Sequence, residues 1–105
     1  MDDIDWLEPW NSLINNKHFF ENELNNEIGN QHILYGKKVT AIGRRYDCDD
    51  ILYQVYNCDF EFAVVHLTFR KTIEGSPLYP RTDIYKNIDS FVNECMVPLY
   101  IEYIN

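Results

Sequence analysis

The sequence predicts a single α+β domain over residues 1–105, in which a three-stranded antiparallel meander is packed on one face by an N-terminal and a C-terminal helix. Three apolar or alternating runs, each joined to the next by a short polar turn, predict the meander. Apolar residues at helical spacing on either side of these runs predict the two helices. A chain of 105 residues is near the usual domain size and can bury a core without disulfides or metals.

The N-terminal part predicts an acidic lead-in, residues 1–8, followed by a helix. Pro9 suits a first helical turn, and the apolar residues of 10–28 recur near helical spacing. The polar patch 15–17 can split this stretch into two helices. In the second half, residues 19–28, three glutamates are expected to face outward: Glu21, Glu23 and Glu27.

The predicted strands cover residues 38–46, 51–56 and 60–70. Gly43 inside the first strand predicts a bulge or the close approach of another backbone segment. The third strand is apolar on one side and partly apolar on the other, so burial on both faces is expected over part of its length. If a three-residue loop joins the second and third strands, Tyr56 pairs with Phe60, and Asp50 then lies opposite His66.

The C-terminal part predicts an irregular, extended segment, residues 77–86, and then a helix that begins around Asn87 with a clean amphipathic stripe. Pro98 should end or kink this helix. Residues 97–105 are interpreted as a C-terminal extension, and residues 99–104 fit either a continued helix or a short edge strand.

The formal net charge of −8 argues against nucleic-acid binding and against docking on an anionic membrane. It is compatible with a basic protein partner, and a homodimer is also compatible with the sequence. No apolar run approaches the ~20 residues that a membrane crossing needs, and the acidic start is unlike a signal peptide. With three cysteines and no CxxC motif, a soluble cytoplasmic protein without a cofactor is expected.

The first candidate site consists of Asp50 and His66, which would face each other across two strands. Such a pair can act as a general base or bind a divalent metal, with Asp47 and Asp49 as further metal candidates. The competing interpretation is that the aspartates only form a turn and that His66 is an ordinary histidine of the sheet.

The second candidate site contains Arg44 and Arg45, which point to opposite faces of a strand. One can pair with an aspartate of the turn, while the other stays free for catalysis or binding. A free arginine together with Tyr79 and Arg81 can bind a carboxylate or phosphate. The alternative is a surface ion pair of little energetic value.

The chain has eight Tyr, six Phe and two Trp, more than one small core should need. Trp10, Tyr53 and Tyr79 are therefore candidate binding residues, since exposed Tyr and Trp are enriched at protein interfaces. Packing at the rim of the core is the alternative. A catalytic cysteine is not expected, because Cys48 and Cys58 lie in turns without a sequence-adjacent histidine.

Several segments together resemble a family of small bacterial proteins with the pattern "LYG…AIARR…D.DDVLF…YAVVHLTW…YP". The matching residues are 34–36, 41–45, 47–53, 62–69 and 79–80, within a resemblance that covers roughly residues 20 to 96. Gly43 in place of Ala and Phe69 in place of Trp depart mildly from the pattern, and the tail after Met96 resembles an addition. The resemblance implies a shared fold and a bacterial source, and it implies no reaction.

The expected function is a non-enzymatic module that binds another protein, with an immunity- or antitoxin-like role. One alternative is a small hydrolase or metal-binding protein that uses Asp50 and His66 with an arginine. Another is a small-ligand sensor that uses the sheet face carrying His66 and Thr68. A concave pocket at these residues would favour an enzyme, whereas a flat acidic and aromatic surface would favour a protein-binding module.

Overall fold

The computed structural model describes residues 4–70, 76 and 78–105, which form an α+β domain. Its antiparallel sheet has five strands whose spatial order follows the chain. The strands are β1 (Trp10–Ser12), β2 (Val39–Arg45), β3 (Asp50–Val55), β4 (Phe62–His66) and β5 (Thr82–Tyr85). The α-helices are α1 (Lys17–Glu27), α2 (Ile88–Phe91) and α3 (Val97–Ile104), and a π-helical stretch, Val92–Met96, joins α2 to α3.

The predicted three-stranded meander is too small, because an additional strand lies on each side of it. β1 occupies residues that were predicted to begin a helix, and Trp10 there is opposite Arg45 of β2. Trp10 is buried and Asn11 and Ser12 are exposed, so the apolar spacing in this region does not belong to one helix. Asn16 has a left-handed φ of 66°, and α1 begins only after it.

The segment predicted to be irregular, residues 77–86, contains the edge strand β5, which pairs with β4 through residues such as Ile84 opposite Ala63. Pro80 lies before the strand and therefore does not interrupt its hydrogen bonds. Pro77 and residues 1–3 of the acidic lead-in lie outside the described residues. β4 ends at His66, four residues earlier than predicted.

Gly43 lies at a register shift between β2 and β3, which confirms the predicted bulge. The ring of Trp6 packs directly on this glycine, where a Cβ would collide with it. Trp6 and Leu7 of the lead-in also pack against the core residues of one sheet face. The lead-in therefore covers the sheet, and a glycine is needed where its indole ring approaches β2.

The two terminal helical segments pack on opposite faces of the sheet, so the prediction that both cover one face is wrong. Ala63 and Val65 of β4 belong to the core that α1 covers. Phe62 and Val64 belong to a second core with Phe91 of α2. Successive strand side chains point to opposite faces, and here both sets are apolar, so each face must be covered. This arrangement confirms the expected burial of β4 on both sides.

The C-terminal helical segment begins after Asn87, whose side chain accepts a hydrogen bond from the backbone N–H of Ser90 and caps α2. Pro98 does not end the helical segment, because it lies in the first turn of α3, directly after the π-helical stretch. A proline is tolerated at such a position since its missing N–H has little to bond there. Residues 99–104 are helical, which settles the choice between helix and edge strand.

Candidate functional site

Asp50 and His66 lie directly opposite each other on β3 and β4, in the register that the three-residue loop predicts. His66 Nδ1 and Asp50 Oδ1 are 2.7 Å apart. The side chain of Asp50 is only 8% exposed, whereas that of His66 is 46% exposed. An ionised carboxylate can only accept hydrogen bonds, so the shared proton lies on Nδ1 of His66. The other ring nitrogen, Nε2, is then left to interact outside the pair.

Arg45 connects Asp47 of the β2–β3 turn to Asp50 at the start of β3. Its Nε and Nη2 donate to Asp47 at 2.9 and 2.8 Å, and its Nη1 donates to Asp50 Oδ2 at 3.4 Å. The hydrogen bonds to Asp47 raise the pKa of Arg45 and hold the pKa of Asp47 below its usual range. Arg44 instead lies with its guanidinium 5.2 Å from the centre of the Phe20 ring. As predicted, one arginine of the pair, Arg45, makes the internal ion pair, and Arg44 makes none with the residues that the structure describes.

Cys48 places a sulfur atom close to Asp50 and His66. Its Sγ, a carboxylate oxygen of Asp50 and a ring nitrogen of His66 all lie within 4.8 Å of one another. Burial raises the pKa of the Cys48 thiol, so the protonated and poorly nucleophilic form is favoured at neutral pH. Sequence reasoning set this residue aside because no histidine is near it in the chain. The pairing of β3 with β4 supplies that histidine.

A cavity of about 610 Å³ opens beside His66 at the end of β4. It brings Tyr79 and Arg81, two predicted binding residues, together with Arg70, which sequence reasoning did not single out. Within residues 4–70, 76 and 78–105, neither guanidinium forms an ion pair. The lining residues are Asp49, His66, Leu67, Thr68, Arg70, Tyr79 and Arg81.

A buried carboxylate from α1 fixes the backbone that leads into this cavity. Glu27 is 0% exposed, and its two oxygens accept hydrogen bonds of 2.8 Å from the N–H groups of Thr68 and Phe69. Phe69 has a φ of 57°, which is uncommon for a bulky residue and needs support from the surrounding structure. Glu27 therefore holds the turn that carries Thr68 and Arg70 to the cavity.

The prediction that the three glutamates of α1 face outward is wrong for two of them. Glu23 and Glu27 are buried, with 3% and 0% exposure. The third, Glu21, accepts a 2.9 Å hydrogen bond from the backbone N–H of Ala41. Glu21 and Glu27 therefore serve backbone donors of the sheet and of the turn after β4. Helical spacing alone cannot distinguish that role from exposure to solvent.

His32 anchors the other side of the cavity from within the loop before β2. It is 5% exposed, and its Nδ1 accepts a 3.0 Å hydrogen bond from the Leu34 N–H. The proton must therefore lie on Nε2, which is 3.2 Å from the Pro80 carbonyl oxygen and 3.1 Å from Thr82 Oγ1. Burial lowers the pKa of His32. The neutral ring thus fixes the chain on both sides of Arg81.

Trp10 and Tyr53, two of the predicted binding residues, lie in the core with 1% and 0% exposure. The Trp10 ring packs edge-on against Phe91, with ring centres 5.3 Å apart. The Tyr53 hydroxyl donates a 2.8 Å hydrogen bond to the Phe20 carbonyl oxygen. Neither side chain lies where a partner could contact it. Their aromatic character serves packing on the two sheet faces.

No family model, no curated protein and no solved structure matches this chain. The family resemblance described above therefore stays an expectation. In the part of the chain that the structure describes, none of the helices has the length and apolar character that a bilayer crossing would require.

Proposed function

We propose that the protein binds a small organic anion, with a carboxylate or phosphate group, in the cavity beside His66. The observation that carries this proposal is the pair of guanidinium groups, Arg70 and Arg81, that line one cavity. Among the described residues no carboxylate neutralises either of them. An arginine presents several N–H donors in a planar fork that matches the oxygens of a carboxylate or phosphate.

The charge distribution of the cavity also favours an anion. The chain as a whole has a formal net charge of −8, yet two of its nine Lys and Arg residues line this one cavity. Asp49 is the acidic residue in the described lining, so the formal charge there is positive. Leu67 and the ring of Tyr79 supply apolar surface for the organic part of a ligand.

The two arginines are carried by backbone segments that are fixed from outside the cavity. Arg70 directly follows the turn that Glu27 holds. The carbonyl oxygen of Arg81 accepts a 2.9 Å hydrogen bond from the His66 N–H. Their backbones therefore need little rearrangement when an anion binds, which favours affinity because less ordering entropy is lost.

Titration with inorganic phosphate and with succinate, followed by amide chemical shifts or calorimetry, tests the proposal. The largest shifts are expected at residues 66–70 and 79–81. Arg70→Gln and Arg81→Gln should each weaken binding about 10-fold, since each removes a charge-assisted hydrogen bond. Arg44→Gln is the matched control, because Arg44 packs on Phe20 outside this cavity and should leave binding unchanged. Equal losses in all three variants, or none in any, would contradict the proposal.

A second candidate function is binding of a basic protein partner, in an immunity- or antitoxin-like role. It is favoured by the exposed apolar residues of α3, where Ile101 and Ile104 are 50% and 57% exposed. Next to them the Tyr46 hydroxyl donates a 3.1 Å hydrogen bond to Tyr103, which adds aromatic surface. Apolar and aromatic groups surrounded by acidic charge suit the centre and rim of an interface with a basic protein.

This second function predicts a gene for a basic toxin directly upstream. Ile104→Glu should then abolish binding of the encoded toxin, whereas Arg70→Gln should leave that binding intact. A toxin that binds the Ile104→Glu variant as tightly as the parent protein would exclude α3 as the contact surface.

A further inference from the structure

We infer that Cys48, Asp50 and His66 form a binding site for a zinc-class divalent metal ion at the end of the β3–β4 hairpin. The three side chains offer one sulfur, one oxygen and one nitrogen, and these donor atoms lie within 4.8 Å of one another. The metal candidates from the sequence were Asp47, Asp49, Asp50 and His66. Cys48 was not among them. This inference does not rest on the proposed anion binding.

The donor set favours zinc and similar ions over calcium or magnesium. Thiolate and imidazole are soft or borderline ligands, whereas calcium and magnesium prefer oxygen atoms only. Zinc binds sulfur at about 2.3 Å and nitrogen or oxygen at about 2.0–2.2 Å, so ligand atoms around a tetrahedral ion lie roughly 3.3–3.6 Å apart. The ligand separations would need to change by roughly 0.6–1.5 Å, because the 2.7 Å contact between His66 and Asp50 must open and the longest separation must close, which is within reach of side-chain rotation.

The backbone already holds two of these donors, those of Asp50 and His66, in place. Asp50 and His66 are directly paired in the ladder, and the Leu67 N–H donates a 3.2 Å hydrogen bond to the Asp49 carbonyl oxygen. A metal ion would replace the proton now shared between Asp50 Oδ1 and His66 Nδ1. Ligands on adjacent strands of a sheet are positioned more rigidly than ligands on loops.

The surroundings of Asp50 are compatible with a cation. Arg45 is close to its second oxygen, at 3.4 Å, but the guanidinium charge is balanced by the bidentate ion pair with Asp47. Arg45 would then orient the ligating carboxylate from outside, as partners of metal ligands commonly do. Three protein ligands leave a fourth position for water from the cavity that His66 lines.

Titration of the metal-free protein with Co²⁺, followed by absorption spectroscopy, tests the site. We expect one ion per chain, a thiolate-to-cobalt band in the near ultraviolet and visible bands typical of tetrahedral coordination. Cys48→Ser should remove the near-ultraviolet band, and both Cys48→Ser and His66→Gln should weaken Co²⁺ and Zn²⁺ binding by at least about 10-fold. Cys58→Ser is the matched control, because Cys58 lies in the other hairpin turn and donates to the Phe60 carbonyl oxygen.

Thermal unfolding of each variant without metal shows whether it is folded, so that lost binding is not mistaken for lost structure. A parent protein with no thiolate band, or a Cys48→Ser variant that binds Co²⁺ as tightly as the parent, would overturn the inference. Loss of the band in Cys58→Ser would place the metal elsewhere and also overturn it. An Arg70→Gln variant should bind Co²⁺ normally, which separates this site from the anion site.

Discussion

The two histidines beside the cavity, His32 and His66, have opposite environments. His32 is 5% exposed and its two ring nitrogens are both hydrogen-bonded, to Leu34 on one side and to the Pro80–Thr82 segment on the other. His66 has a side chain that is 46% exposed and is bonded through Nδ1 to Asp50. His32 therefore holds the chain together, whereas His66 has a ring nitrogen to offer to a ligand.

This difference shows that some residues hold the backbone around the cavity, whereas others face the cavity itself. The supporting groups, His32 and Glu27, are buried and bonded mainly to the backbone around the cavity. The groups that face the cavity, His66 and the two arginines, are exposed enough to exchange water for a ligand. A binding site needs both kinds of residue, because exposed side chains bind well only when their backbone is fixed.

The largest expected effect is on stability, and it should differ between the two histidines. His32→Ala should lower the free energy of unfolding by about 2–3 kcal/mol, because it leaves buried polar groups of the Leu34 and Pro80 segments without their partner. His66→Ala should cost less, about 1 kcal/mol, because the His66 ring is half-exposed and water from the cavity can replace it beside the buried Asp50, which keeps its contact with Arg45. Urea unfolding of both variants measures this, and equal losses would refute the distinction.

An intermediate effect is expected on the pH dependence of stability. Burial lowers the pKa of His32 below the usual value of about 6.5, so the folded state binds fewer protons there than the unfolded chain. The stabilisation is therefore fully present above pH about 6.5 and is lost as the pH falls below it. Unfolding free energies measured from pH about 7.5 to 5 should fall in the parent protein. They should fall less steeply in His32→Gln, and an unchanged slope in that variant would contradict the assignment to His32.

The smallest effect is expected at Asp47, whose ion pair with Arg45 lies next to the Asp50–His66 pair. Asp47 is partly exposed and its pKa is lowered by Arg45, so its ion pair contributes stability above the usual Asp pKa of about 3.9 and loses it as the pH falls further. Asp47→Asn should reduce the free energy of unfolding by less than about 1 kcal/mol at neutral pH. The loss should shrink in 1 M salt, where exposed charges are screened. A salt-independent loss of several kcal/mol would show that this pair is structural.

The register of the β3–β4 hairpin was predictable because loop length and alternation together determine which residues face each other. That register places Asp50 opposite His66, as the structure confirms. β1 and β5 were not predictable in the same way. Both are short, one lies in an apolar pattern shared with a helix and the other follows a proline, so their pairing depends on tertiary contacts.

The sequence predicted the central pair of the candidate site, Asp50 and His66, but only some of the residues around it. Arg81 and Tyr79 carry chemistry that can be recognised from residue type. Glu27 was wrongly predicted to face outward. Helical periodicity does not show that a carboxylate turns inward to accept hydrogen bonds from the backbone of a distant turn. Arg70 and Cys48 acquire their neighbours only through strand pairing and through the positive φ of Phe69.

The sheet has a strand order that equals the chain order, and this has a kinetic consequence. Short links, residues 46–49 and 56–61, join β2 to β3 and β3 to β4, so these two hairpins can assemble before the longer connections to β1 and β5 close. Closing short loops costs little entropy, and domains rich in local pairings fold quickly. We expect early pairing of the three central strands to limit the time in which their unpaired residues can recruit another chain and aggregate.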